Sequence, residues 1–281
     1  NYMIKRDLTK KIKELIKFYP VLVVTGPRQS GKTTLVQTMF PKYRYVNLEN
    51  PDAHALAISD PRHFLETDTG VKIIIDEAQR YPELFSYIQT TVDDKKLMGQ
   101  YILTGSQNFN LTQKVTQSLA GRTANFVLPP LTVSELTTAK KLASNFEKTA
   151  ISGFYPKLYD VKMPVLDYYR NYLVTYVERD VRQLKNIGDL ASFQRFILLL
   201  AGRVGQIVNY SSLASDTGVD HKTIESWLSV LEASYLIIRL QPYFNNFGKR
   251  VIKSPKIYFS DTGLLCYLLG INSEKDLGLH F

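Results

Sequence analysis

One stretch limits what this chain can fold into more than any other: residues 21–35, VLVVTGPRQSGKTTL. Val21, Leu22, Val23 and Val24 are apolar and mostly β-branched, as in a parallel strand buried on both faces. Gly26, Pro27, Arg28, Gln29, Ser30, Gly31, Lys32 and Thr33 then satisfy G-x-x-x-x-G-K-[ST]. Thr34, Leu35, Val36 and Gln37 continue in sequence that suits a helix. Strand, glycine loop and helix in that order make a phosphate cradle. Gly26 and Gly31 let the backbone turn its N–H groups inward on an anion, and the helix start adds free amides and the positive end of its dipole. Lys32 brings a point charge to the β- and γ-phosphates, and the Thr33 hydroxyl suits Mg2+. A chance glycine loop would not need this order of elements.

A second stretch completes the site. Residues 71–77, VKIIIDE, read as a buried strand that ends in two acids. Asp76, delivered to the carboxyl edge of a sheet, would hold Mg2+ through water. Glu77, one residue on, would orient and deprotonate an attacking water, which favours hydrolysis over transfer to a substrate hydroxyl. The strand 101–104 runs into Gly105, Ser106 and Gln107, so a polar side chain there would meet the γ-phosphate or the water. Ser106 is the first choice, with Thr104 and Gln107 as alternatives; a turn that only satisfies its own backbone is the plainer reading. Arg122 precedes a fifth strand at 125–128. It either reaches a neighbouring subunit's γ-phosphate or pairs with a local carboxylate.

The remaining elements follow from periodicity and punctuation. Leu8, Ile12, Leu15, Ile16 and Tyr19 predict an amphipathic helix over 7–19, which makes Ile4 and Arg6 candidates for the wall of a base pocket. Residues 43–48 predict the second strand, followed by a turn at 49–52 and a helix with a loop over 53–68. Pro129 and Pro130 close the sheet domain. One long helix is expected over 167–184, with Arg179 or Arg182 either reaching back to the nucleotide or pairing along the helix. Helices over 193–204, 213–216 and 221–234, then strands over 235–240 and 256–259 around a basic, aromatic tip, make a winged helix. Its tip residues Lys249, Arg250 and Lys253 would contact DNA phosphates, but such modules also bind proteins. A capped helix ends at Leu269.

Composition sets the outer limits. The chain has 281 residues, of which 44% are hydrophobic and 22% charged, as in ordinary globular proteins. Its single cysteine, Cys266, excludes an internal disulfide and a cysteine-cluster metal site, so a cytoplasmic location is expected. No membrane partner is expected, since no apolar run is long enough to span one. The four histidines lack ligand spacing. The net charge of +9 permits an anionic partner, although the lysines at 10, 11, 13 and 17 read as a solvated helix face. Met3 reads as a natural start.

The succession GPRQSGKTTL, IIIDEAQRYPELF, ILTGSQNF, SLAGRTANFVLPPLTVSEL, YVERDVRQL and KSPKIYFSDTGLLCYLLG resembles the prokaryotic AAA-type ATPases that carry the domain DUF4143. The resemblance implies an α/β P-loop NTPase of AAA+ type with parallel strand order 5-1-4-3-2, a helical lid and a C-terminal winged helix. It implies a core over 1–131, a lid over 132–190, a winged helix over 191–270, and at 271–281 the start of a link to an absent C-terminal domain of restriction-endonuclease type. It implies binding of ATP or ADP with Mg2+, ATP hydrolysis and a homo-oligomer, a hexamer or smaller. Lys32 and Thr33 fall on Walker A, Asp76 and Glu77 on Walker B, Ser106 on the sensor, and Arg122 on the arginine finger. Asn47 matches the position that holds the catalytic glutamate inactive.

Overall fold

Five short strands make one parallel sheet. A computed structural model describes residues 4–66, 72–106, 118–176, 189–243 and 254–279. The strands are β1 (Val21–Thr25), β2 (Arg44–Asn47), β3 (Ile73–Asp76), β4 (Tyr101–Gly105) and β5 (Thr123–Val127), in the order β2-β3-β4-β1-β5. This is the expected 5-1-4-3-2 arrangement. β1 is an interior strand, wholly buried and paired with β4 (Val24↔Thr104) and β5 (Val24↔Phe126).

The strands' two-residue period sorts their side chains into two layers. Val21, Val23, Ile73, Ile75, Tyr101 and Leu103 face α3 (Pro51–Ser59), α4 (Pro61–Leu65) and α5 (Leu84–Lys95). Leu22, Val24, Ile74, Ile102 and Phe126 face α1 (Leu8–Leu15) and α2 (Lys32–Met39). Burial of each such side chain contributes about 1.5–3 kcal/mol. With both faces covered, all five strand ends meet at one carboxyl edge, where ligands of such sheets bind.

Local chemistry sets several boundaries differently from the sequence reading. The segment 49–52 is not a free turn: Asn50 caps α3 by accepting from the N–H groups of Asp52 (2.9 Å) and Ala53 (3.3 Å), and Pro51 opens the helix. Pro61 then splits the expected helix in two, with Asp60 ending α3 and capping α4. The first helix ends at Leu15 and continues as a turn.

The chain divides into two compact units, with the break between Leu131 and Thr132. The second unit contains α6 (Val133–Thr138), α7 (Phe146–Ser152), α8 (Lys157–Asp160) and α9 (Val165–Tyr172). The helix expected from residue 167 thus starts two residues earlier. It continues in wider, π-type turns through Tyr176. Its expected remainder, including Arg179 and Arg182, lies outside the described residues.

Next come α10 (Leu190–Ala201), α11 (Tyr210–Thr217) and α12 (His221–Ala233). α11 and α12 are capped by Asn209 and Asp220 and separated by Gly218 at φ 76°. β6 (Ile237–Leu240) and β7 (Lys256–Phe259) form an antiparallel pair, and Ile207 makes a further antiparallel bridge to Lys256. The tip with Lys249, Arg250 and Lys253 lies outside the described residues.

α13 (Thr262–Leu268) and α14 (Glu274–Gly278) complete the chain. The described part of 271–281 is not a free link. Ile271 and Leu277 are buried with Ala150 and Cys266, so this segment folds back on α7.

Candidate functional site

At the end of β1 the backbone requires glycine. Gly26 has φ 146°, and a Cβ there would stand 2.2 Å from the Leu128 carbonyl oxygen. Gln29 (φ 61°) and Gly31 (φ 90°) also take left-handed conformations, and Gly31 is the residue before α2. These turns bend residues 26–31 around the start of α2 and aim its free amides into the loop. Ser30 is buried, Thr34 lies exposed on the first turn of α2, and Pro27 lends its carbonyl to the lysine described next.

Lys32 is 6% exposed, and its Nζ donates to the carbonyls of Gly26 (3.0 Å) and Pro27 (2.8 Å). Burial pulls its pKa down to about 8, while the negative charges of Glu77 and Asp76 pull the other way. Arg28 leaves the loop sideways and meets Glu49 Oε1 at 3.1 Å, the oxygen that Arg80 also approaches at 3.1 Å.

Asp76 ends β3 and is 4% exposed. Its Oδ2 accepts from the hydroxyls of Thr33 (2.7 Å) and Tyr45 (2.7 Å). Its Oδ1 accepts from the Thr104 hydroxyl and from the Glu77 N–H (3.1 Å). Glu77 has φ 52°, an unusual conformation for a residue with a long side chain, and it ends the strand. Its Oε2 accepts from the Ser106 hydroxyl (3.2 Å) and from the Gln79 amide.

Two of the three polar residues weighed at the end of β4 therefore enter the site together, Thr104 on Asp76 and Ser106 on Glu77. Gln107 lies outside the described residues. Asn47 accepts at its Oδ1 from the Glu49 N–H (2.8 Å), whereas the side chains of Gln79 and Ser106 donate to Glu77.

Arg122 is not brought to this loop. It stands at the amino edge of the sheet, where its carbonyl accepts from the Val21 N–H (3.2 Å). A five-residue strand, roughly 16 Å long, separates the two edges. Its guanidinium grips Asp93 through two bonds (2.6 and 2.7 Å) and also reaches the Ala120 carbonyl (3.0 Å). Within its own chain this is the local-carboxylate arrangement.

Arg6, expected near a base, is 5% exposed and clamps backbone instead. It donates to the carbonyls of Ser30 (2.7 Å), Pro129 (2.6 Å) and Pro130 (3.2 Å), bracing the loop against the exit from β5. The sequence reading missed Tyr45, Gln79 and Glu49. Gln79 was the most legible of the three, as a polar residue two positions after Glu77. Tyr45 carried no signal beyond its place in a strand.

The oxygen set of Thr33 and Asp76 fits a hard divalent cation such as Mg2+, which binds through few protein ligands and draws others from phosphate and water. The positive-φ loop and the buried Lys32 fit a polyphosphate.

The chain is similar to several known proteins in sequence and in fold. Residues 19–137 match the family model described as AAA domain. Residues 143–275 match a domain of unknown function, DUF8612, whereas the sequence resemblance pointed to DUF4143. An uncharacterized protein of Mycobacterium tuberculosis is 33% identical over 278 residues, covering 97% of this chain and 61% of that protein. An uncharacterized protein of Haemophilus influenzae is 24% identical over 311 residues, covering 95% of this chain and 74% of the other. The chain thus spans 61% of the length of its mycobacterial relative.

Among solved structures, a Walker-type ATPase of Pyrococcus abyssi superposes with a TM-score of 0.61 at 13% identity, covering 94% of this chain and 95% of that one. At this identity the likeness concerns the fold. Residues 19–137 are thus similar to the AAA domain, and the fold is like that of a Walker-type ATPase.

Proposed function

We propose that this chain binds ATP with Mg2+ and hydrolyses it to ADP and phosphate. One observation carries the reading: β3 sets Asp76 against Thr33, hydroxyl to carboxylate at 2.7 Å, and leaves Glu77 at the same sheet edge. In this reading the loop amides and Lys32 bind the β- and γ-phosphates. Lys32 would exchange the Gly26 and Pro27 carbonyls for phosphate oxygens. Thr33 and Asp76 would hold Mg2+, which when bound supplies charge neutralisation at those oxygens. Glu77 takes the proton of the attacking water, and Ser106 and Gln79 fix its carboxylate. Arg122 would take part only by reaching a neighbouring copy, after leaving Asp93.

The deciding experiment is Glu77→Gln. It should keep ATP affinity within about threefold and lose turnover by a factor on the order of 10^2 or more. Full turnover in the variant would remove Glu77 from its role.

A second reading concerns the second unit. α10, α11 and α12, the Ile207 bridge and the β6–β7 pair follow one another in the order of a winged helix. This order supports an ATP-switched DNA-binding or protein-binding module, with residues 132–190 as the lid.

A further inference from the structure

Tyr45 lies on β2, at the edge of the sheet, in a strand that carries neither the loop nor the acids. In register it stands opposite Ile74, two residues before the Asn47–Asp76 pair. That places it on the same face as Ile74, Leu35 and Val36, where its ring packs in the layer beneath α2. A phenylalanine would serve this packing equally well. The hydroxyl adds a polar group that costs free energy on burial unless it is bonded. Its bond goes to Asp76 Oδ2 at 2.7 Å, the oxygen that the Thr33 hydroxyl also meets at 2.7 Å.

A hydroxyl has one proton and two lone pairs. Thr33 can therefore keep its bond to Asp76 while offering a lone pair to a cation. The Asp76 carboxylate must then stay in one plane, although one of its oxygens is tied to a ligand that is itself engaged. Thr104 and the Glu77 N–H hold Oδ1; Tyr45 is the second holder of Oδ2.

We infer that Tyr45 is a positioning residue for the divalent cation: its hydroxyl fixes Asp76 Oδ2, and through it sets the affinity of the nucleotide site for Mg2+. The inference rests on the proposed Mg-ATP reading of this site. Partners of this kind, one bond removed from the metal, commonly change metal affinity by roughly 10- to 100-fold.

The test is Tyr45→Phe in the full chain, with a fluorescent ATP analogue as probe. Its affinity is titrated first in EDTA and then against rising Mg2+. The expected result is unchanged affinity in EDTA and a half-saturating Mg2+ concentration raised about 10-fold, with turnover restored at high Mg2+. An unchanged Mg2+ requirement overturns the inference. So does an equal loss of affinity in EDTA, which would make the hydroxyl a support of the loop. A second variant, Tyr45→Leu, also removes the ring and so separates loss of packing from loss of the bond: it should lower the melting temperature, whereas Tyr45→Phe should not. If the wild-type chain binds no nucleotide, or binds it with no response to Mg2+, the Mg-ATP reading itself fails, and that failure appears in the wild-type arm alone.

Discussion

Lys32 shows at the scale of one residue how function opposes stability. An unfolded lysine titrates near 10.5, whereas burial brings the folded one to about 8. Between these values the unfolded chain holds a proton that the folded chain has lost, so stability rises with pH across this window. Below about 8 the folded chain bears the full cost, on the order of 3 kcal/mol. Its bonds to Gly26 and Pro27 offset part of this. Lys32→Met keeps the length and removes the charge. It should raise the melting temperature at pH 7, by a margin that shrinks towards pH 10.5, and abolish nucleotide binding. Thermal melts of both proteins at about pH 7 and about pH 10 check this, and a margin independent of pH would contradict it.

Asp261 acts at the scale of elements. Fully buried, it caps α13 through the Leu264 N–H (2.8 Å), accepts from the Phe154 N–H (2.7 Å) after α7, and accepts from the Tyr169 hydroxyl (2.7 Å) on α9. Gly153 and Gly263 make room for that hydroxyl, since a Cβ at either would stand 2.0 or 2.3 Å from it. Asp261→Ala strands the Leu264 and Phe154 N–H groups, leaves the Tyr169 hydroxyl only the Ser152 carbonyl (3.1 Å), and should destabilise the second unit by about 2–4 kcal/mol in denaturant melts. Asp261→Asn keeps one acceptor oxygen and should cost less. Burial raises the Asp261 pKa, so the folded state holds a proton above the usual carboxylate range, and this contribution to stability is lost as pH rises from that range through the folded value. Relative to Asp261→Asn, the wild-type chain should therefore gain stability as pH falls towards the usual carboxylate range. A constant difference between the two melts across pH would show that the charge is not the cause.

For the whole molecule, charge is the guide to a partner. Among the described residues no helix is long and apolar enough to cross a membrane. The net charge of +9 and the wing-like order of the second unit make duplex DNA the partner to test first. If Lys249 and Arg250 contact phosphates, Lys249→Ala with Arg250→Ala should weaken binding and flatten the log–log salt dependence by about 1.8. Filter binding or anisotropy across salt concentrations measures this, with and without ATP. Binding that is absent or insensitive to salt would leave protein contact as the reading of this unit.

The residues by themselves determined the parallel sheet, its strand order through the family resemblance, and the main parts of the site. Each of these parts is written within one short window: Gly26 to Thr33 in a single turn, Asp76 and Glu77 at the end of one strand. Their backbone chemistry is local, so it shows in local sequence. Tertiary structure decided what depends on register and on sheet edge. Tyr45 reaches Asp76, 31 residues further along, because β2 pairs with β3 in the alignment Asn47↔Asp76. Arg122 binds Asp93 because the start of β5 and the end of α5 share the amino edge, away from the phosphate loop. The segment after Gly270 packs rather than trails because Ile271 and Leu277 find Ala150 and Cys266. Such pairings join residues far apart in the chain, and a local pattern carries no record of which distant partner a side chain will meet.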